Sequence, residues 1–323
     1  MTVQRWNGLE QVPDDQPRSV VCIGVFDGVH RGHRAIISRA VEYAHTLDAP
    51  AVVITFDPHP SEVIRPGTHP GLLSTVDQRC ELLEELGVDG VCVLPFTMDL
   101  AALSPQEFVD HVLVDRFHAL GVVVGANFRF GNRAAGDTEL LGELGLSRGF
   151  MVDAAPLVAG TGGTWSSTYV RGLVAAGDVA SAGLSLGRPH RVEGLVVHGD
   201  KRGRELGFPT ANLGTIEHAA IPADGVYAAW LVDDPYGDQP QRYPAAVSIG
   251  TNPTFDGVIG RRVEAYVLDR TDLDLYDHRV ALDFVDRIRG QVKFEGIEPL
   301  IVQMNSDVDK TREVLGLTAG SGL

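Results

Sequence analysis

The chain has 323 residues, 44% of them apolar and 22% charged, an ordinary globular balance, and its length fits two domains, each with its own core. With 27 Lys and Arg against 43 Asp and Glu, the net charge of −16 argues against a nucleic-acid partner, which usually meets a basic patch. No apolar run is long enough to span a bilayer, the polar start MTVQRWNGLEQ has no secretory pattern, and Cys22, Cys80 and Cys92 lack metal-type spacing, so a soluble cytoplasmic protein with reduced thiols is expected.

Val20–Ile23 is short, apolar and β-branched and reads as a buried strand. The string GVFDGVHRGH (Gly24–His33) follows, after which Ile36, Ile37, Ala40, Val41 and Ala44 recur at helix-face spacing. The expectation is a strand, a glycine-punctuated turn and a helix entered through two histidines. The first N–H groups of a helix lack partners and its dipole favours negative charge, so such an entry binds anions. His30 and His33 share a face if both sit in the first turn, and Gly32 leaves room for a phosphate to approach the backbone. Either histidine alone reads as a core residue, whereas the pair in this setting reads as catalytic.

Further strand-like runs cover 51–56, 90–96, 121–125 and 151–158. Helical stretches cover 76–86, 105–119 with Ser104 as N-cap, and 137–146. This alternation predicts an α/β domain with a doubly wound parallel sheet, whose ligands bind beyond the carboxyl ends of the strands. TFDPHP (Thr55–Pro60) brings an acid and a histidine to that edge. GANFRFG (Gly125–Gly131) offers the Asn127 amide, and Phe128 and Phe130 either stack on a planar ligand or cap the core. In WSSTYVR (Trp165–Arg171), Ser166 and Ser167 are good N-cap residues for a helix through Val174, and Arg171 lies about one turn in. Hydroxyls, free N–H groups and a guanidinium suit a triphosphate.

Beyond Leu186-Gly187-Arg188-Pro189 the segments RVEGLVVHG, GVYAAWLV, YPAAVSIG, RRVEAYVL and HRVALDFV alternate or run apolar without intervening helices. They predict an antiparallel β domain, sandwich or barrel, closed by a C-terminal helix entered through Ser306 and Asp307 and ending before Gly316. Its string HGDKRGRELGFPTANL contains the most cationic loop of the chain, Lys201-Arg202-Gly203-Arg204. Thr210 and Asn212 then place two neutral oxygens on one side of an extended segment, a donor set suited to Mg²⁺ shared with nucleotide phosphates. Glu264 is a lone carboxylate in an apolar strand, either outward-facing or chemical.

The strings G-x-F-D-G-x-H-x-G-H, S-S-T-x-x-R and G-F-P-T-A-N together resemble the signatures of the prokaryotic bifunctional riboflavin kinase/FMN adenylyltransferase (FAD synthetase) family, over nearly the whole chain. The resemblance implies an FMN adenylyltransferase domain of nucleotidyltransferase type over 1–186 and a riboflavin kinase β-barrel domain with a C-terminal helix over 187–323. It implies a transferase with two ATP-dependent steps: riboflavin to FMN, then FMN to FAD with release of pyrophosphate. His30, His33 and Arg171 would act on the ATP phosphates. Gly24, Phe26, Asp27, Asn127, Ser166, Ser167 and Thr168 would bind nucleotide or flavin. In the kinase, Thr210 and Asn212 would hold Mg²⁺–ATP, Lys201, Gly203, Arg204 and Asn252 would bind nucleotide, and Glu264 would be the general base. The chain departs from the family pattern at two positions: the family more often has Gly where Asp277 stands, and many members carry Asp where Asn127 stands. The implied partners are riboflavin, FMN and ATP, with no nucleic acid and no membrane; homo-oligomerisation is left open. A Rossmann oxidoreductase is the natural rival for a glycine-rich turn after a first strand, but the turn lacks G-x-G-x-x-G and holds two histidines instead.

Overall fold

The computed structural model describes residues 3–160, 163–198, 208–215, 218–253 and 259–317. Lys201, Gly203 and Arg204 lie outside the described residues. The chain forms two compact units, Met1–Pro70 with Ser74–Ser166, and Gly71–Leu73 with Ser167–Leu323.

The first unit is built on six parallel strands, β1 (Gln4–Asn7), β2 (Val20–Ile23), β3 (Ala51–Asp57), β4 (Gly90–Pro95), β5 (Gly121–Gly125) and β6 (Met151–Ala155), in the order β1-β4-β3-β2-β5-β6. Its helices are α1 (Arg31–Thr46), α2 (Pro60–Ile64), α3 (Val76–Glu84), α4 (Met98–Ala102), α5 (Pro105–Phe108) and α6 (Thr138–Arg148), with a short hairpin of β7 (Ala159–Gly160) and β8 (Gly163–Thr164). The central strands are apolar on both faces because each face meets its own core. Val21, Ile23, Val52, Ile54, Val122 and Val124 join one cluster, whereas Val20, Cys22, Val53 and Val123 join the other with the buried face of α1. That face is Ile36, Ile37, Ala40, Val41 and Ala44, the set expected from spacing.

From β2 the chain steps to β3 and β4 on one side, then crosses back to β5 on the other. The switch point lies at the carboxyl end of β2, where ligands of open α/β sheets bind and where Gly24–His33 begins. The expected helix over 105–119 starts as foreseen, with a capping box between Ser104 and Glu107, but widens into a π-helical turn at Val109–Val114. Strand β1, in the polar start, was not anticipated from the sequence.

The second unit comprises α7 (Ser167–Ala176), α8 (Val179–Leu186), strands β9 (His190–Val197), β10 (Thr210–Thr215), β11 (Gly225–Asp233), β12 (Gln241–Pro253), β13 (Ile259–Val267) and β14 (Arg279–Arg289), and α9 (Ile297–Val314). The strands close an antiparallel barrel in the order β10-β13-β12-β11-β14-β9. Alternate side chains fill it, among them Leu213, Tyr227, Val247, Val263, Ala265 and Phe284. Val179 of α8 belongs to this core, so α8 packs on the barrel, and Val170, Val174, Ala182 and Leu186 form a satellite cluster with Leu73 that packs α7 on α8.

The C-terminal helix begins nine positions before the expected entry, after Gly296. Asp307 is not a cap. It is buried inside α9, where Arg289 grips both carboxylate oxygens at 2.7–3.1 Å and Gln303 donates to Oδ1 at 2.9 Å. Cys22, Cys80 and Cys92 are unpaired and buried; desolvation pushes all three thiols up, Cys92 to about 12. Among the described residues no helix is long and apolar enough to cross a membrane.

Candidate active sites

In the first unit, His30 is the N-cap of α1 and His33 lies in its first turn. His30 Nδ1 accepts the His33 backbone N–H at 3.3 Å, and the two rings stack with centroids 3.6 Å apart at 21°. His30 is 4% exposed and His33 half-buried. A Cβ at Gly32 would lie 3.1 Å from the His30 ring, so the glycine makes room for that imidazole. Gly24 is needed for a similar reason: a Cβ would come 2.8 Å from the Phe26 ring, which folds back over it. Phe26 also meets His33 edge-on at 5.2 Å.

Phe26 and Asp27 are 3% and 1% exposed, so their side chains support the turn from within instead of lining its surface. Asp27 Oδ1 accepts from Ser74 N at 3.1 Å and Ser74 Oγ at 3.3 Å, and Ser74 Oγ accepts from Gly28 N at 2.9 Å. Arg79, 2% exposed, donates from Nη1 to Thr55 Oγ1 at 3.0 Å and to Phe56 O at 2.9 Å. Burial lowers the Arg79 guanidinium, opposed by the charges of Asp27 and Asp57. Desolvation raises the Asp57 carboxyl, opposed by Arg79. In TFDPHP, His59 is the N-cap of α2 and accepts from Ser61 N at 3.2 Å, a local structural task.

Asn127 is exposed just past the carboxyl end of β5. Phe130 belongs to the core and Phe128 stacks on it at 5.7 Å, so one of the two candidate rings is not available to a ligand. Ser166 lies in the first unit and Ser167, Thr168 and Arg171 in the second. Ser166 and Ser167 are half-buried, Thr168 is exposed, and Arg171 Nε donates to Gly71 O at 2.8 Å.

In the barrel, Ala211 and Leu213 pack inward, leaving Thr210 and Asn212 together on the outer face of β10. On β13, Val263 and Ala265 fill the core, so Glu264 also points outward, its side chain 32% exposed, with Arg262 Nη1 3.5 Å away. The register brings the two motifs together: Asn212 pairs with Glu264, and Glu264 pairs with Ser248 of β12. Gln291 extends the row by donating to Ser248 Oγ at 3.2 Å. Asn252 lies in β12 opposite Gly260.

Sequence reasoning passed over Ser74, Arg79 and Thr55 in the first unit and Ser248 and Gln291 in the second. Ser74-Thr75 ahead of a helix-patterned stretch is a usual sign of a helix start, and Thr75 is indeed the N-cap of α3. Nothing in the local string marks Ser74 as a partner for Asp27.

A family model described as FAD synthetase matches residues 12–169, and one described as riboflavin kinase matches residues 186–315. The bifunctional riboflavin kinase/FMN adenylyltransferase of Pseudomonas fluorescens is 38% identical over 317 residues, 98% of this chain and 99% of that protein. The protein of the same description from Escherichia coli K12 is 36% identical over 312 residues, 97% of each. A crystal structure described as a macrolide-efflux protein from Streptococcus pneumoniae has a TM-score of 0.85 at 32% identity, covering 97% of this chain and 99% of that one. Two matched models in tandem, and relatives aligned nearly end to end, put both reactions on one polypeptide: the chain belongs to the bifunctional riboflavin kinase/FMN adenylyltransferase family and has both activities.

Proposed function

We propose that the two activities divide between the two constellations, adenylyl transfer at the Gly24–His33 turn and riboflavin phosphorylation at the Asn212–Glu264 row. The observation that carries this is that the His30–His33 pair closes within the first compact unit and the Asn212–Glu264 pair within the second. The functional boundary follows the motifs, 1–186 and 187–323, although α7 and α8 belong to the second compact unit. An efflux role finds no counterpart in either constellation.

In the kinase, Glu264 accepts the proton of the ribityl hydroxyl as that oxygen takes the γ-phosphoryl group and ADP leaves. Thr210 and Asn212 supply neutral oxygens on the face that carries Glu264, a hard donor set that fits Mg²⁺ bound jointly with nucleotide phosphates. Mg²⁺ there would neutralise phosphate charge. Lys201, Gly203, Arg204 and Asn252 would complete the nucleotide site. In the transferase, the FMN phosphate oxygen bonds to the ATP α-phosphorus and pyrophosphate departs. His30 and His33 stabilise the charge on the phosphates, with Gly24, Phe26 and Asp27 shaping the turn that binds the nucleotide. Ser166, Ser167, Thr168 and Arg171 hold the nucleotide, and Asn127 places flavin or ATP. Buried, unpaired thiols agree with a cytoplasmic setting.

Incubation of the purified protein with riboflavin, ATP and Mg²⁺, followed by chromatography of the flavins, tests the reading. FMN and then FAD are expected, the second step lost in His33→Ala and the first in Asn212→Ala. Loss of the same step in both variants would overturn the division.

A further inference from the structure

We infer that Ser74, Thr55 and Arg79 are positioning residues of adenylyl transfer, forming a buried cradle that holds the Gly24–His33 turn in a conformation it would not keep alone. The inference rests on the assignment of that turn to FMN adenylylation. Two residues of the turn are strained: Phe26 has φ +50° and Val29 φ +38°. This is the left-handed region, which suits glycine and is least tolerant of a β-branched side chain such as valine. Such a conformation persists only where the surroundings over-determine it.

The cradle supplies that constraint on both sides of Phe26. Before it, Thr55 Oγ1 donates to Val25 O at 2.9 Å and is itself fixed by Arg79 Nη1 at 3.0 Å. After it, Ser74 engages the Asp27 carboxylate through N and Oγ and accepts the Gly28 N–H. Val25, Asp27 and Gly28 are therefore pinned, and Phe26 and Val29 must take up the remaining rotation. Phe26 in turn meets the His33 ring edge-on, so the turn's shape sets where His33 stands.

Thr55, Ser74 and Arg79 are 0%, 3% and 2% exposed, so none of them lines an open surface. Stability alone does not account for Arg79. Its Nε is buried with no hydrogen-bond partner among the described residues, and a buried cation with incomplete partners is generally less stabilising than an apolar side chain of similar volume. Its relay through Thr55 to Val25 gives the position a task that an apolar residue could not perform.

The test uses the full chain, with FMN adenylylation and riboflavin phosphorylation measured on the same preparations. Ser74→Ala and Thr55→Val should each lower kcat for FAD formation at least tenfold, with KM for ATP changed less than about threefold. Riboflavin phosphorylation should stay at the parent rate, and Thr55→Ser, which keeps the hydroxyl, should retain FAD formation. The double variant should fall little further than the worse single one, because both release the same turn. Parent-like kcat in Ser74→Ala and Thr55→Val, failure of Thr55→Ser to retain activity, or parallel loss of the kinase reaction would each overturn the inference. His33→Ala separates the two levels. If it still makes FAD, the assignment of the turn fails; if it does not, while the cradle variants do, only the positioning role fails.

Discussion

His30 ties itself to His33 twice, by accepting the His33 backbone N–H through Nδ1 at 3.3 Å and by stacking on its ring at 3.6 Å. One imidazole thus caps α1 and, on the proposed reading, faces the nucleotide. With Nδ1 accepting, a neutral ring has its proton on Nε2. The two tasks are separable. His30→Asn supplies a good N-cap and should hold thermal stability near the parent value, whereas His30→Ala should lose about 1 kcal/mol. Both should lose FAD formation, measured from supplied FMN. An asparagine variant that synthesises FAD at the parent rate would reduce His30 to a cap.

The barrel makes the complementary prediction. Asn212 and Glu264 are cross-strand neighbours on an outer face, so changing either should leave the barrel core intact. Glu264→Gln keeps shape and hydrogen bonding but removes the base, and should lower riboflavin phosphorylation by about 100-fold, within the usual range for general-base catalysis. Adenylylation of supplied FMN should continue. A Gln variant with parent kinase activity would exclude proton abstraction by Glu264.

Much of this arrangement was legible because it is written in local periodicity. The buried strands β2, β3, β4 and β5 are continuous apolar runs, and the buried face of α1 follows from its spacing alone. Thr210 and Asn212 share a face because strand geometry alternates. What stayed hidden depends on contacts far apart in sequence. Ser74 meets Asp27 across 47 positions, and Arg79 meets Thr55 across 24, with no local pattern to announce either. The pairing of Asn212 with Glu264 needed the barrel register, which the strands individually do not encode. Ser306-Asp307 misled for the opposite reason: a residue type that favours caps was instead recruited by Arg289.

That recruitment predicts a stability effect in the second unit. The Arg289 side chain is 17% exposed and the Asp307 side chain 6%, so the pair is held largely out of water. Removing one partner leaves the other charge uncompensated, and Asp307→Asn should destabilise the unit by about 3 kcal/mol. Replacing both residues, Arg289→Met with Asp307→Leu, should recover most of that loss. Denaturant unfolding of the three proteins measures the difference. Equal stability of parent and Asp307→Asn would show that the pair contributes little.

Asp277 supplies a last test from backbone shape. It is exposed, its φ of +63° lies in the left-handed region, and its N–H donates to Val196 O at 3.0 Å. Glycine fits that conformation without a Cβ penalty, and Asp is among the side chains that tolerate it. Asp277→Gly should therefore raise stability by about 0.5 kcal/mol, tempered by the greater freedom glycine gives the unfolded chain. Asp277→Val keeps the N–H but adds a β-branched side chain, and should lower stability by about 1–2 kcal/mol. Thermal unfolding of the three proteins should rank them Gly, Asp, Val; a valine variant as stable as the parent would mean that the turn relaxes at no cost.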